Sequence, residues 1–77
     1  MKNPGMFFRA YPEARTIYEI VRDNPEIGPV EIKLEYLART GSPIDEQQYN
    51  RLIRKMSDSI IRRSTSDGKY NNKWVVI

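Results

Sequence analysis

The sequence predicts a small α+β domain in which three helices are followed by a C-terminal β-hairpin. Three observations lead there. Apolar residues recur at spacings of three and four from Tyr11 to Val21 and again from Tyr49 to Met56, the period changes after Ile60, and Asp67-Gly68 separates two strand-like runs. A single core is expected, because 77 residues suffice for one compact domain and not for two. With 39% hydrophobic and 30% charged residues, the composition is that of a folding chain and not of a disordered one.

Residues 1–11 are expected to form an N-terminal arm. Met6, Phe7 and Phe8 have no clear period there, and a short strand or an arm laid on the core fits equally well. The domain proper is expected over residues 12–77. Its first helix opens at Pro12, which suits a first-turn position, and carries Tyr11, Ala14, Ile17, Tyr18 and Val21 on one stripe, with Glu13, Arg15, Glu19 and Arg22 between them. Asn24-Pro25 ends it, and the turn that follows has room for a minimal strand at Ile27. A second helix is predicted from Val30 to Thr40, with Val30, Leu34, Leu37 and Ala38 buried, Tyr36 at the rim, and Gly41 as a left-handed stop.

The third helix is predicted to start at Asp45. Asp45-Glu46-Gln47-Gln48 reads as a capping box, in which the Asp45 carboxylate takes the Gln48 N–H and the Gln48 side chain reaches back. Tyr49, Leu52, Ile53, Met56 and Ile60 then make one apolar stripe. Beyond it, Asp67-Gly68 suits a two-residue type I′ turn, which would set Ile61 opposite Trp74 and Ile60 opposite Val75. Such a hairpin is apolar at its root and polar at its tip, and Trp74 belongs to the core.

Charge and residue inventory narrow the function. There is no cysteine and no histidine, which removes disulfides, the usual zinc ligands, the usual neutral-pH base and every Cys-His or Ser-His nucleophile pair. No phosphate loop or metal motif is present, and Glu31, Glu35, Asp45 and Glu46 are better explained by helix faces and capping than by metal binding. The expectation is therefore a protein that is not an enzyme, with no cofactor and no small-molecule ligand. No apolar run is long enough for a membrane span and the N-terminus does not read as a signal peptide, so a cytoplasmic protein without a membrane partner is expected.

The net charge of +3 is unevenly spread. Residues 1–50 hold six basic and eight acidic side chains, a balance of −2, whereas residues 51–77 hold seven basic and two acidic, a balance of +5. The last third is the candidate polyanion-binding surface.

The order of elements resembles the winged helix-turn-helix superfamily over residues 12–77. The residues that carry the likeness are Leu37-Ala38-Arg39-Thr40-Gly41 closing the second helix, the Ser42 to Asp45 turn, the third helix, and Ile60-Ile61-Arg62-Arg63 leading into the Asp67-Gly68 wing. In this pattern the small Ala38 would let two helices cross closely and Gly41 supplies the sharp turn. The resemblance implies a DNA-binding α+β fold whose helix 45–58 enters the major groove while wing 61–74 touches backbone or minor groove.

The residues themselves point the same way. The helix face opposite the apolar stripe presents Gln47, Arg51, Arg54 and Asp58 at its centre, with Asn50 and Lys55 beside them. Arginine pairs with the guanine O6/N7 edge, and glutamine or asparagine with the adenine N6/N7 edge. Arg62, Arg63, Lys69 and Lys73 flank the wing among Ser, Thr and Asn residues that can also donate to phosphate oxygens. A solvated helix face, or edge-strand lysines that discourage aggregation, would explain single members of this set. Double-stranded DNA is the expected partner, bound by a homodimer, and the expected role is that of a small prokaryotic, phage or plasmid transcription regulator. Met6-Phe7-Phe8 and the first helix are the candidate dimer contacts. The rival expectation is a winged-helix protein-interaction module, an adaptor or inhibitor that does not bind DNA.

Overall fold

The structure is a computed structural model. It describes residues 4–66 and 72–77, and the backbone alone of Pro4, Thr65, Ser66 and Asn72. The described residues form α1 (Pro4–Ala10), α2 (Pro12–Asp23), α3 (Pro29–Thr40), α4 (Glu46–Met56), β1 (Ile61–Ser66) and β2 (Asn72–Val76). The architecture is thus α+β, four helices and a two-stranded antiparallel sheet at the C-terminal end. The three expected helices are α2, α3 and α4; α1 is additional.

The arm is neither a strand nor an extended segment. It is a seven-residue helix whose Phe7 ring packs on Tyr11 at 5.1 Å and whose Phe8 ring packs on Tyr18 at 5.3 Å. Two turns are too few for a helical period to stand out, and the aromatic contacts to α2 supply what the short helix lacks alone.

Proline opens both α2 and α3 at their first turn. The α2 stripe buries Ala14, Ile17, Ile20 and Val21, and Asn24 ends the helix by turning both its backbone and side-chain N–H groups onto the Ile20 carbonyl. Gly41 stops α3 at φ 79°, the left-handed region that glycine enters without a Cβ clash.

The rotation of α3 departs from expectation. Its buried residues are Ile32 and Tyr36, whereas Val30, Leu34, Leu37 and Ala38 are exposed. The helix carries two apolar stripes, of which one is buried. Arg39 at the end of α3 is bonded to Asp23 at 3.1 Å and to Glu35 at 3.3 Å, and Lys33 is paired with Glu46 of α4. These pairs accompany the rotation that buries Ile32 and Tyr36. An exposed Ala38 also means that no close helix crossing is made through it.

α4 begins where expected, with Asp45 as N-cap. The Asp45 carboxylate accepts from the Gln47 and Gln48 N–H groups at 3.0 and 3.2 Å. The Gln48 side chain does not reach back; it donates to Glu13 of α2 at 2.8 Å instead. The stripe Tyr49, Leu52, Ile53 and Met56 is buried as expected, and Ile60 is half-buried. The helix ends at Met56, so Asp58 lies in the following turn, with φ 67° and its N–H on the Ile61 carbonyl, rather than on the helix face.

The hairpin register differs from the two-residue-turn expectation. Ile61 pairs with Val76, Arg63 with Trp74, and Ser66 with Asn72, with an irregularity between Arg63 and Thr65. Residues 67–71 therefore connect the strands; the Asp67-Gly68 turn itself, with Tyr70 and Lys69, lies outside the described residues. On its other edge β2 meets the α2–α3 connection. Trp74 donates its N–H to the Ile27 carbonyl and accepts from the Glu26 N–H, both at 3.0 Å. The expected minimal strand at Ile27 is this bridge. Trp74 and Ile61 join the helical stripes in one core.

Two substitutions on α3 test its rotation. Ile32→Ala is expected to cost about 2–5 kcal/mol by leaving a cavity, and Leu34→Ala less than about 0.5 kcal/mol, as at other exposed sites. Denaturant unfolding distinguishes them, and the reverse order would place the other stripe in the core. Asp45→Ala is expected to cost about 1 kcal/mol, a fall in Tm of about 4–8 °C for a domain of this size.

Candidate nucleic-acid interface

α4 carries the candidate surface because its apolar stripe leaves the opposite side of the helix outside the core. Gln47, Asn50, Arg51, Arg54 and Lys55 are all exposed, and together they line one shallow open concavity of about 430 Å³. The orientation of that face is set by polar contacts at the start of the helix. Gln48 is held by Glu13, and Glu46 by Lys33, so α4 is tied to both α2 and α3 before its first turn ends.

Arg62 and Arg63 are exposed on β1, opposite Val75 and Trp74. Being consecutive in a strand, they project to opposite sides of the sheet. Lys73 is exposed on β2, where it lines a depression with Glu26, Glu31 and Glu35 of the α2–α3 region. The structure therefore gathers the five α4 residues into one patch and places Arg62 and Arg63 on the neighbouring hairpin, while Lys73 stands among carboxylates. Lys69 lies outside the described residues.

The cations fall into two groups. Arg15, Arg22, Lys33 and Arg39 each have a carboxylate partner within the fold. Arg22 and Arg39 bind the same Asp23, and their hydrogen bonds hold its carboxyl below the usual carboxylate range. Among the described residues, Arg9 of α1 and Arg51, Arg54, Lys55, Arg62, Arg63 and Lys73 of the C-terminal third make no ion pair. Lys55 has one intramolecular contact, its ammonium lying 5.4 Å from the Tyr11 ring centroid. Arg54 and Lys55 also sit in the last turn of α4, where positive charge complements the helix dipole. That contribution is purely structural and leaves Arg51, Arg62 and Arg63 without an internal role.

A second cleft of about 570 Å³ lies between α1 and α2, lined by Phe8, Arg9, Arg15, Tyr18, Glu19 and Arg22. It was not legible in the sequence, because it depends on α1 being a helix packed on α2. Two of its three arginines are paired, Arg15 with Glu19 and Arg22 with Asp23. Among the described residues no group of three or more histidines, cysteines or carboxylates is placed to hold a metal ion, and no helix is long and apolar enough to cross a membrane.

Tyr49 sits beneath the α3–α4 contact. It is buried, the Lys33 ammonium lies 4.8 Å from its ring centroid, and its hydroxyl has no hydrogen-bond partner among the described residues. Burial, with a smaller contribution from Glu46, pushes its ionisation well above the ordinary tyrosine value.

Neither a family model, nor a curated protein, nor a solved structure matches the chain. The functional reading accordingly rests on the residues and their arrangement alone.

The Tyr49 environment has a pH consequence. The fold favours the neutral phenol, whereas the unfolded chain ionises it near pH 10, so this contribution to stability is complete below about pH 10 and is lost as pH rises above it. Tyr49→Phe is expected to leave neutral-pH stability equal or higher, since it deletes an unpaired buried hydroxyl, and to lessen the fall in Tm above pH 10. Parallel Tm-versus-pH curves for parent and variant would count against the assignment.

Proposed function

We propose that the chain is a winged helix-turn-helix domain that binds double-stranded DNA and acts as a small transcription regulator, with α4 in the major groove and the β1–β2 hairpin as the wing. The observation that carries this reading is the division of the cations. In the first three helices every described cation but Arg9 has a carboxylate partner, while those of α4 and β1 are exposed and have none. Leaving several like charges unpaired on α4 and the neighbouring hairpin disfavours the isolated domain and favours a polyanion partner, which gains from releasing condensed counterions.

The topology supports the same reading. Helix, single bridge at Ile27, helix, Gly41 turn, helix and hairpin follow one another, with β2 lying between Ile27 and β1. That is the element order of a winged helix, with the third of these helices exposed for groove binding. On α4, Gln47, Asn50, Arg51 and Arg54 supply the base-edge donors and acceptors. Arg62 and Arg63 project to opposite sides of the sheet, so the one on the duplex side supplies the phosphate contact from the wing. Lys73, among Glu26, Glu31 and Glu35, contributes little because those carboxylates repel a phosphate there.

Base-reading and phosphate-contacting residues fail differently when removed. Arg51→Ala or Arg54→Ala is expected to cost about 1–3 kcal/mol on a preferred duplex and to relax base preference at one position. Alanine at the wing arginine on the duplex side, Arg62 or Arg63, is expected to weaken all duplexes alike and to flatten log affinity against log salt by about 0.9 per lost phosphate contact. Lys73→Ala should be nearly silent. Fluorescence anisotropy across a salt series reads all of these. A parent protein that binds no duplex at low salt would leave the protein-interaction module as the better reading.

A further inference from the structure

We infer that the duplex-contacting surface is one-sided: it passes from α4 onto the helix-facing side of the hairpin through Arg63, and it leaves out Arg62 and the outer side of the hairpin. The inference rests on the DNA-binding reading and deepens it by naming which wing arginine, and which side of the wing, meets the polyanion.

Pleat and register separate the two arginines. Ile61 and Trp74 are buried in the core they share with the helices, so the side of the sheet that bears them is the helix-facing one. Residues paired across an antiparallel ladder share a side, and successive residues of a strand alternate. Arg63 pairs with Trp74 and lies two positions beyond Ile61, which puts it on the helix-facing side. Arg62 pairs with Val75 and is on the outer side, and Lys73, next to Trp74 in β2, shares that side. The irregularity in the ladder lies beyond Arg63 and leaves the alternation over residues 61–63 intact.

Arg63 is exposed even though its cross-strand partner is buried. The hairpin has therefore run past the edge of the helical layer at this point, and the guanidinium emerges on the side where α4 packs through Tyr49, Leu52, Ile53 and Met56. Connectivity keeps the two close. Residues 57–60 alone separate the end of α4 from β1, and Ser57 bridges to Ile61.

Charge divides the sides in the same sense. On the outer side Lys73 lines a depression with Glu26, Glu31 and Glu35, where the carboxylates outnumber it and repel a phosphate. The α4 concavity has no carboxylate in its lining, which is Gln47, Asn50, Arg51, Arg54 and Lys55. Duplex DNA is stiff over about 50 nm. A duplex seated on α4 continues past the helix-facing side of the hairpin; reaching Arg62 would need a bend around the hairpin toward those carboxylates.

Both arginines are exposed, so their single substitutions are expected to keep the parental Tm. In fluorescence anisotropy across a salt series, Arg63→Ala is expected to flatten log affinity against log salt by about 0.9, the loss of one phosphate contact. Arg63→Lys should restore the slope. Arg62→Ala removes the same charge from the neighbouring position and should keep the parental slope. A second readout does not depend on affinity. The chain has no cysteine, so Arg62→Cys and Arg63→Cys each carry a single thiol, and saturating duplex at low salt should slow iodoacetamide alkylation at 63 and not at 62. A parental slope in Arg63→Ala, equal flattening by the two alanine variants, or protection of position 62 would overturn the assignment while DNA binding stood. A parent that binds no duplex at low salt would remove both.

Discussion

The two halves of the chain are joined at Trp74. Its side chain is buried with the helical stripes, its backbone N–H and C=O are bonded to Ile27 and Glu26, and its other edge faces Arg63 in β1. An isolated two-stranded hairpin is marginal in water. Here β2 is held on both sides, by β1 and by the connection between α2 and α3, and its indole anchors it from below. The position of Arg62 and Arg63 relative to α4 follows from that anchoring, as does the left-handed backbone of Glu26, whose carboxylate also accepts the Ser64 hydroxyl at 3.0 Å. The basic hairpin is thus part of the body of the domain at its root.

Charge is divided along the same line. In α2 and α3 the ion pairs connect elements or stiffen a helix: Arg39 joins α3 to α2 and Lys33 joins α3 to α4. Exposed pairs of this kind contribute little individually. Here they join α3 to both of its helical neighbours in the orientation that buries Ile32 and Tyr36. From Arg51 onward the described cations have no carboxylate partner, and the region's acidic residues within the described chain come down to Asp58, which is occupied with the turn after α4 through its own backbone. Before Arg51 every described cation but Arg9 is thus neutralised within the fold, and from Arg51 onward none is.

What the sequence made legible follows the range of the interactions involved. The starts and stops of α2, α3 and α4 were readable because Pro12, Asn24, Pro29, Gly41 and Asp45 act on their immediate neighbours, and the α4 stripe was readable because only one of its faces is apolar. The rotation of α3 was not, since Val30-Leu34-Leu37 and Ile32-Tyr36 are both good stripes and the choice depends on tertiary packing that the helix period does not carry. The register was not legible, because Asp67-Gly68 suggests a two-residue turn, whereas Ser66 pairs with Asn72 and the pairing carries an irregularity between Arg63 and Thr65. Of the candidate site, the five α4 residues were found from the helix period; the acidic surroundings of Lys73 arise only when α3 and β2 are brought together.

The reassigned contact of Gln48 shows how these levels connect. A capping box would have kept Gln48 within its own helix, stabilising α4 without orienting it. Bonded to Glu13, the same side chain instead links α4 to α2, while Glu46, two residues earlier, links it to α3 through Lys33. Residues 46 and 48 thus hold α4 from two directions, with Tyr49 buried immediately below them. A helix held by its apolar stripe alone can rock about its axis at modest cost, because dispersion contacts are non-directional. Two polar anchors at its start restrict that motion and fix the direction in which Gln47, Asn50, Arg51 and Arg54 project. A surface that works through hydrogen bonds needs such fixing more than a solvated one does, since hydrogen-bond geometry fails with small displacements.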